Sequence, residues 1–391
     1  MAINSTSTRA GELDPDFNNG EFLYLPGSYT SDIAIDPKTN KIYIAGRAGE
    51  GPIENPRNYM ILALNPDGTR DKDFNGGAPI ITSFFYGFGS SAEKILILDD
   101  GKILVLGTVR SNRSDGLSFA LARYHRDGTL DDSFGSNGHA VPSHELADEK
   151  FMLEGDVPFS LALCESRIYI TGQSAGATML MGLEENGSIA MDFGDNGVRI
   201  INSRSLGSMV IANNRIYLTG AVWARLHLTG DLDLDFGTDG FVDPVHTAPH
   251  GVLSATYLQN NSNILGVGYA SSRNALLTSI DRDGGRNEDF NEGGPVLAPP
   301  EHSASSWTDC VIKNSRIITA GAAKNGQLLS IGRYLQDGKP DTDFGDNGWK
   351  DFTLRGSKPV NSRPALAVQH NNAVLVTSRF LSSPFILQLR G

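Results

Sequence analysis

Paired aspartates are the residues of this chain whose spacing most resembles a chemical site. Carboxylate oxygens two residues apart can coordinate a hard cation such as Ca²⁺. The densest acidic run is Asp231-Leu-Asp-Leu-Asp235. The Asp-x-Asp pairs are Asp14 and Asp16, Asp71 and Asp73, Asp233 and Asp235, and Asp341 and Asp343.

The same aspartates also have a structural interpretation, which the sequence favours. An aspartate that opens a turn accepts hydrogen bonds from nearby backbone N–H groups. Ser133, Ala190 and Asn287 stand where other copies have aspartate. The runs also lack the distal bidentate glutamate that completes an EF-hand loop. We therefore predict turn caps, no metal site and no other cofactor.

Histidines and cysteines give no stronger indication of a reaction. His246 and His250 lie four apart, but Pro249 disfavours the helix that would direct both at one metal ion. Cys164 and Cys310 are the only cysteines, too few for a disulfide framework. We expect two separate, buried thiols. The chain contains no nucleophile elbow, Walker loop or Cys-x-x-Cys motif.

The aspartates belong to a motif that occurs seven times. Each copy has a glycine six residues before a phenylalanine, and successive phenylalanines lie 57, 60, 59, 43, 54 and 54 residues apart. A repeat of this length, built from short apolar runs and turn residues, is typical of a β-propeller. We expect each phenylalanine to be buried between blades and each glycine to adopt a positive φ. The phenylalanines are Phe17, Phe74, Phe134, Phe193, Phe236, Phe290 and Phe344, and the glycines are Gly11, Gly68, Gly128, Gly187, Gly230, Gly284 and Gly338.

Apolar runs between the motifs predict four short strands in every repeat. One run ends near a glycine, as in Lys102-Ile-Leu-Val-Leu-Gly107. Another apolar stretch precedes it across a hairpin turn, and two more strands flank the phenylalanine motif. No segment has a sustained helical period. The predicted fold is all-β, a single seven-bladed β-propeller of four-stranded antiparallel blades.

The two ends of the chain predict how the ring closes. The N-terminal part begins with a phenylalanine motif, whereas the C-terminal part ends on a third strand, Phe385-Ile-Leu-Gln-Leu389. We expect residues 11–26 to supply the fourth, outermost strand of the last blade. Closure of this kind removes free sheet edges. One propeller domain would then span residues 1–391.

The seven Gly-x-x-Asp-x-Asp-Phe-Gly-like motifs and the apolar strand before each loop resemble one family over nearly the whole chain. This is the bacterial delta-60 repeat family, β-propellers of unknown function. The resemblance implies a propeller fold and brings no catalytic residues. The chain departs from the pattern where the fourth and fifth motifs are only 43 residues apart, and where Ser378 replaces the strand-ending glycine.

Composition excludes several classes of partner. The formal net charge is −12, without the clustered Lys and Arg that a nucleic-acid interface needs. No apolar run is long enough to span a bilayer. The first nine residues lack the pattern of a secretory signal, so we expect a cytoplasmic protein or one secreted by a non-classical route. The sequence does not indicate an oligomeric state.

Function is therefore expected in the residues that do not repeat. Loops joining one blade to the next, and loops between the second and third strands, share one face of a propeller. We predict that this face binds a protein, peptide or glycan and acts without catalysis, since arginine suits carboxylates and aromatic rings suit sugars or side chains. The alternative is a propeller lyase or hydrolase with its site at the mouth of the central channel. The candidate residues are Arg47, Arg57, Tyr86, Arg110, Arg113, His250, Arg273 and Trp307.

Overall fold

The computed structural model describes most of the chain, and every structural statement below concerns the described residues. These are residues 9–49, 58–85, 89–110, 117–142, 160–174, 176–202, 206–220, 222–243, 252–258, 263–270, 274–299, 304–323, 327–354, 363–380 and 383–391.

Seven antiparallel sheets of four strands form the fold, as the repeat predicted. We number the sheets as blades 1 to 7 in chain order. The first blade contains β2 (Tyr29–Ile35), β3 (Ile42–Ala48), β4 (Asn58–Leu64) and β5 (Ile80–Thr82). The second contains β6 (Ser90–Ile97), β7 (Ile103–Arg110), β8 (Leu117–Tyr124) and β9 (His139–Ala140). The third contains β10 (Ser160–Cys164), β11 (Arg167–Ser174), β12 (Ala177–Glu184) and β13 (Val198–Ile201).

The remaining blades repeat this order. Blade 4 contains β14 (Leu206–Ala212), β15 (Arg215–Gly220), β16 (Trp223–His227) and β17 (Phe241–Val242). Blade 5 contains β18 (Val252–Leu258), β19 (Ile264–Tyr269), β20 (Ala275–Ile280) and β21 (Val296–Leu297). Blade 6 contains β22 (Ala304–Lys313), β23 (Arg316–Ala323), β24 (Leu328–Leu335) and β25 (Trp349–Thr353). Blade 7 contains β26 (Ala365–Val368), β27 (Val374–Phe380), β28 (Ser383–Leu389) and the N-terminal β1 (Leu23–Tyr24).

The ring closes in the predicted way. Leu23 and Tyr24 of β1 pair antiparallel with Ile386 and Phe385 of β28, so the N-terminal segment completes the last blade. The first strands of neighbouring blades contact one another around the whole ring, and they line the central channel. Among the described residues, no helix is long and apolar enough to cross a membrane.

The repeated phenylalanine and glycine hold adjacent blades together, as expected. All seven phenylalanines are at most 1% exposed. All seven glycines have a φ between 86° and 91°. A Cβ on Gly187 would lie 2.8 Å from the Phe134 ring of the preceding blade, and a Cβ on Gly230 would lie 2.8 Å from Phe193. The glycine thus provides both the turn and the space for the neighbouring ring.

The motif aspartates cap their turns, and they also form buried ion pairs. Asp131 Oδ1 accepts the backbone N–H of Ser133 at 3.2 Å. Asp131 Oδ2 accepts the Nε–H of Arg123 at 2.6 Å and lies 3.1 Å from the Lys102 ammonium. The Arg123 guanidinium in turn stacks 4.7 Å from the Phe134 ring centroid. The same arrangement recurs with Arg225, Asp233 and Phe236, and with Arg333, Asp341 and Phe344.

The two cysteines are free thiols in different blades. Cys310 is fully buried in β22. Cys164 lies at the end of β10 and is only partly buried. The expectation that both thiols are buried is therefore wrong for Cys164, because its strand ends there at an exposed turn.

Candidate functional site

Tyr29 and Arg379 meet at the mouth of the central channel, on the face formed by the loops between blades and between second and third strands. Tyr29 is the first residue of β2, and Arg379 lies near the end of β27. The Arg379 guanidinium carbon lies 5.2 Å from the centroid of the Tyr29 ring, which is cation–π geometry. Thr30 fixes this contact because its Oγ1 donates to the Ser378 carbonyl at 3.3 Å.

Further charged side chains surround the Tyr29 hydroxyl. Burial raises the pKa of Tyr29, and the negative charge of Glu93 raises it further, whereas Arg363 and Arg379 act in the opposite direction. Arg47 lies directly opposite Tyr29 in the β2–β3 register. We call Tyr29, Arg47, Glu93, Arg363 and Arg379 the channel-mouth cluster. Two guanidinium groups and one carboxylate therefore act on the Tyr29 phenol, and a third arginine, Arg47, is the partner of Tyr29 in the neighbouring strand.

An ionic group lies one level deeper in the channel. Lys94 Nζ on β6 is 3.3 Å from Asp32 Oδ1 on β2. Burial would lower the pKa of Lys94, but Asp32 and Asp309 outweigh burial and raise it. Asp32 Oδ2 accepts the backbone N–H of Ile95 at 3.0 Å, and Asp309 Oδ2 accepts that of Leu366 at 2.8 Å. Each aspartate thus joins its inner strand to the next blade.

A β-bulge immediately precedes Asp32, Lys94 and Asp309 in their inner strands. The register skips one residue at Ser31 in β2, at Glu93 in β6 and at Thr308 in β22. Ser31 Oγ donates to Ala92 O at 2.6 Å, and Thr308 Oγ1 donates to Pro364 O at 3.0 Å, so both join adjacent blades. Blade 2 instead carries Glu93 followed by Lys94. The charged residues of blade 2 are therefore a departure from the repeat.

The residues predicted from the sequence fall into three groups. Arg47 is the cross-strand partner of Tyr29 at the channel mouth, and its role in binding stays a prediction. The placement of Trp307 was wrong: it lies within β22, is completely buried, and stacks on Trp349 with ring centroids 5.4 Å apart. It packs with residues of blade 5 and cannot offer a face to a ligand. Arg57, Tyr86, Arg113, His250 and Arg273 lie outside the described residues, as does the side chain of Arg110.

Sequence reasoning missed Tyr29, Glu93 and Lys94. They lie in strands, whereas the binding residues were predicted in loops. Alignment of the inner strands at their bulges provides the missing signal, because Ser31-Asp32 and Thr308-Asp309 then correspond to Glu93-Lys94. A charge reversal within one blade of a repeat protein marks a position that packing does not dictate.

The fold and this channel define the chain as a seven-bladed β-propeller. A family model described as a domain of unknown function (DUF5122) beta-propeller matches residues 98–134. That segment contains β7, β8 and the Phe134 motif of blade 2. No curated protein matches the chain.

Solved propeller structures resemble the chain at low identity. The Dos1 propeller is 10% identical over 95% of both chains, with a TM-score of 0.52. At this identity the likeness shows the fold alone. Apo prolyl oligopeptidase B from Galerina marginata is 12% identical with a TM-score of 0.44, and the chain spans 48% of its length. The GH43_1 enzyme from Xanthomonas citri is 10% identical with a TM-score of 0.36, over 94% of this chain and 89% of that one.

Proposed function

We propose that this protein is a non-catalytic binding or scaffolding propeller that recognises a protein, peptide or glycan through its loop-rich face. The observation that carries the proposal is the channel-mouth cluster. Its arginines offer planar, bidentate donors for carboxylates. Residues that repeat from blade to blade are committed to packing, so recognition falls to those that do not.

The proposed contact surface extends from the channel mouth into the surrounding loops. Arg47, Arg363 and Arg379 form its centre, and Trp307 is not part of it. The other candidates from the sequence remain part of the proposal: Arg57, Tyr86, Arg110, Arg113, His250 and Arg273. The delta-60 repeat resemblance is compatible with this role, since that family brings no catalytic residues.

A propeller lyase or hydrolase is the second candidate, and the titratable group below the mouth is the observation in its favour. A general base must be unprotonated at the working pH. Lys94 has a raised pKa beside Asp32 and Asp309, so it stays charged. Both aspartates accept backbone N–H bonds from the next blade. These roles support a rigid channel better than they support proton transfer.

The test is binding of the labelled protein to a glycan array and a peptide array. We expect a ligand whose signal falls at least about tenfold in the Arg47→Ala/Arg379→Ala double variant, as for loss of charge-assisted hydrogen bonds. Arg282→Ala is the matched control, because Arg282 is 68% exposed but lies in a strand 3–4 turn on the opposite face. Melting curves would show that both variants fold.

Two results would overturn the proposal. Unchanged binding in the double variant would remove the channel mouth from the interface. The second result would come from mass spectrometry of the ligand after incubation with the protein. A cleaved ligand, with cleavage abolished in the double variant, would establish the enzyme instead.

A further inference from the structure

On the face opposite the channel-mouth cluster, two tyrosines each donate a hydrogen bond to the next blade. We call the interface between two adjacent blades a seam. Tyr169 in β11 donates its hydroxyl to the Leu228 carbonyl of the next blade at 3.3 Å. Tyr217 in β15 donates to the Arg282 carbonyl at 3.2 Å. Both rings also pack edge-on against the motif phenylalanine of their own blade. The hydroxyl bond is thus a regular part of the blade interface.

Tyr43 holds the same position in β3, at the seam between blades 1 and 2, but its hydroxyl does not bond to the next blade. Its ring packs edge-on against Phe74 with centroids 5.8 Å apart, as at the other seams. The residue is 1% exposed, yet its hydroxyl forms no hydrogen bond to any described residue. The corresponding carbonyl belongs to Arg126, which takes the place of Leu228 and Arg282 in its turn.

A cavity of about 260 Å³ occupies this seam in place of the hydrogen bond. We call it the seam cavity. It is smaller than the roughly 300–1,000 Å³ that drug-sized ligands occupy, so it suits a ligand of a few heavy atoms. The residues that line it are Asp36, Thr39, Lys41, Tyr43, Asp73, Arg126 and Asp127.

Arg126 supplies a second group of hydrogen-bond donors to the seam cavity. Its side chain lies over Gly101, where a Cβ would come within 1.7 Å of the Arg126 Nε. One terminal nitrogen of Arg126 is 3.6 Å from Asp36 Oδ2, which is too long for a hydrogen bond. Asp36 is already bonded to the Lys38 N–H and the Thr39 hydroxyl, each at 2.8 Å. The guanidinium donors thus have no hydrogen-bond acceptor among the described residues.

Carboxylates lie on the other side of the seam cavity. Asp127 uses only Oδ1 within its own turn, where it accepts the Thr129 N–H and hydroxyl at 2.9 and 2.6 Å. Asp73 is 89% exposed and shares Lys41 with Asp71. Burial raises the pKa of Tyr43 to about 12, so its hydroxyl is a neutral donor at physiological pH. The cavity therefore offers donors for an anion and acceptors for a cation within one small volume.

We propose that the seam cavity binds a small zwitterion of the α-amino-acid type. Arg126 and the Tyr43 hydroxyl hold its carboxylate, and Asp127 and Asp73 hold its ammonium group. A dianion such as phosphate would meet three aspartates in the lining, and a neutral sugar would leave the guanidinium without a hydrogen-bonded anion, since Asp36 is 3.6 Å away. This site is independent of the proposed partner surface, which lies on the opposite face.

Isothermal titration calorimetry of the whole chain tests the proposal, with glycine, L-alanine and L-serine as probes. Acetate, ethylammonium, inorganic phosphate and glucose serve as single-feature comparisons. We expect at least one amino acid to bind about tenfold or more tightly than any of the four comparison compounds, since each of those lacks half of the contacts or the matching charge. The proposal would be overturned if none of the three amino acids binds. It would also be overturned if phosphate or glucose binds as tightly as the amino acids do.

Two pairs of variants locate the binding. Tyr43→Phe removes only the hydroxyl, and we expect affinity to fall about tenfold with little change in melting temperature. The matched Tyr217→Phe removes a hydroxyl that is already hydrogen-bonded, so it should lower the melting temperature without changing affinity. Arg126→Gln should also weaken binding about tenfold or more, whereas Arg282→Gln should not. Unchanged binding in both Tyr43→Phe and Arg126→Gln would place the amino acid elsewhere and reject the seam cavity.

Discussion

Gly11, the first glycine of the repeat, packs against Phe344, the last phenylalanine. A Cβ on Gly11 would lie 3.3 Å from Phe344 Cδ2 and 2.7 Å from the Gly345 backbone nitrogen. The Gly345 N–H donates to the Ala10 carbonyl at 2.9 Å. The same hydrogen bond joins Asn18 to Asp67 between blades 7 and 1. The two ends of the chain thus form an ordinary blade interface.

Deletion of residues 1–26 should destabilise the ring. The deletion removes β1 from the edge of β28 and leaves Phe344 without the backbone that covers it. We expect aggregation or a loss of several kcal/mol, because the edge of β28 that pairs with β1 becomes unpaired and exposed. Urea denaturation and light scattering measure both effects.

A milder pair of variants controls for gross truncation. Gly11→Ala and Gly76→Ala both place a side chain at positive φ, but only Gly11 has neighbours within 4 Å. Both should show the roughly 1 kcal/mol strain of a left-handed residue, and Gly11→Ala should lose more. Equal losses, or an unchanged melting curve for the deletion, would mean that the termini do not carry the closure.

Removal of the phenylalanine wedge should be costly. Phe134 is fully buried between blades 2 and 3, so Phe134→Ala should cost ~3–5 kcal/mol. Ser133→Ala in the same turn should cost about 1 kcal/mol, the scale of a lost cap. Ser133 Oγ donates to Asp131 at 2.6 Å but is not itself part of the core. Similar losses in the two variants would contradict the wedge role.

Acid should destabilise the protein through the motif aspartates. Burial acts to raise the pKa of Asp131, but hydrogen bonds from Ser133, Lys102 and Arg123 outweigh burial and hold the pKa well below its usual range. A carboxyl whose folded pKa is depressed contributes stability that is present above its unfolded pKa of about 3.9. This contribution is lost as the pH falls through the folded value.

Asp131→Asn tests this linkage. The variant should be less stable than wild type at pH 7, and the difference should narrow between about pH 4 and pH 2. Asp132→Asn is the control, because Asp132 is exposed beside the same motif. The measurement is the urea midpoint across the pH range. A difference that stays constant with pH would show that the ion pair of Asp131 contributes nothing.

The fold could be predicted from the sequence because the chain repeats. The motif phenylalanine and the glycine six residues before it, as in Phe134 and Gly128, occur in every copy, and only packing between similar units explains that recurrence. The ion pair between Arg123 and Asp131 was not predicted, because it depends on which β8 side chains point toward the following turn. The motif aspartates therefore have a second role that was not predicted: besides capping a turn, they form a buried ion pair.

The channel could not be predicted in the same way. Lys94 and Asp309 belong to blades 2 and 6, and nothing local indicates that they act on each other across the channel. Trp307 was taken for a loop residue because two bulges in β22 hide the alternation of its strand. Its burial follows from contacts with Trp349, which comes much later in the chain. Contacts of this kind appear only once the blades are assembled.

Chelation should leave stability almost unchanged. The aspartate oxygens that resemble calcium ligands are bonded to protein groups, as in Asp233, which accepts from Arg215 and Arg225 at 2.7 and 2.9 Å. We expect EDTA to shift the melting temperature by less than about 1 °C, and added CaCl₂ to have no larger effect. A large fall with EDTA that calcium reverses would restore the metal hypothesis.

The two thiols should differ sharply in reactivity. Burial raises the pKa of Cys310 well above its ordinary value, and the neighbouring Asp309 raises it further. Since the thiolate is the reactive species, Cys310 should resist thiol reagents until the protein unfolds. Cys164 is partly exposed, although burial and Glu165 raise its pKa as well.

In native buffer we expect a maleimide to label one thiol per chain slowly. In urea we expect it to label both thiols. Peptide mapping should place the native label on Cys164, and Cys164→Ser should abolish it. Labelling of Cys310 in the folded protein would mean that β22 opens to solvent, contrary to its place in the blade 5–6 core.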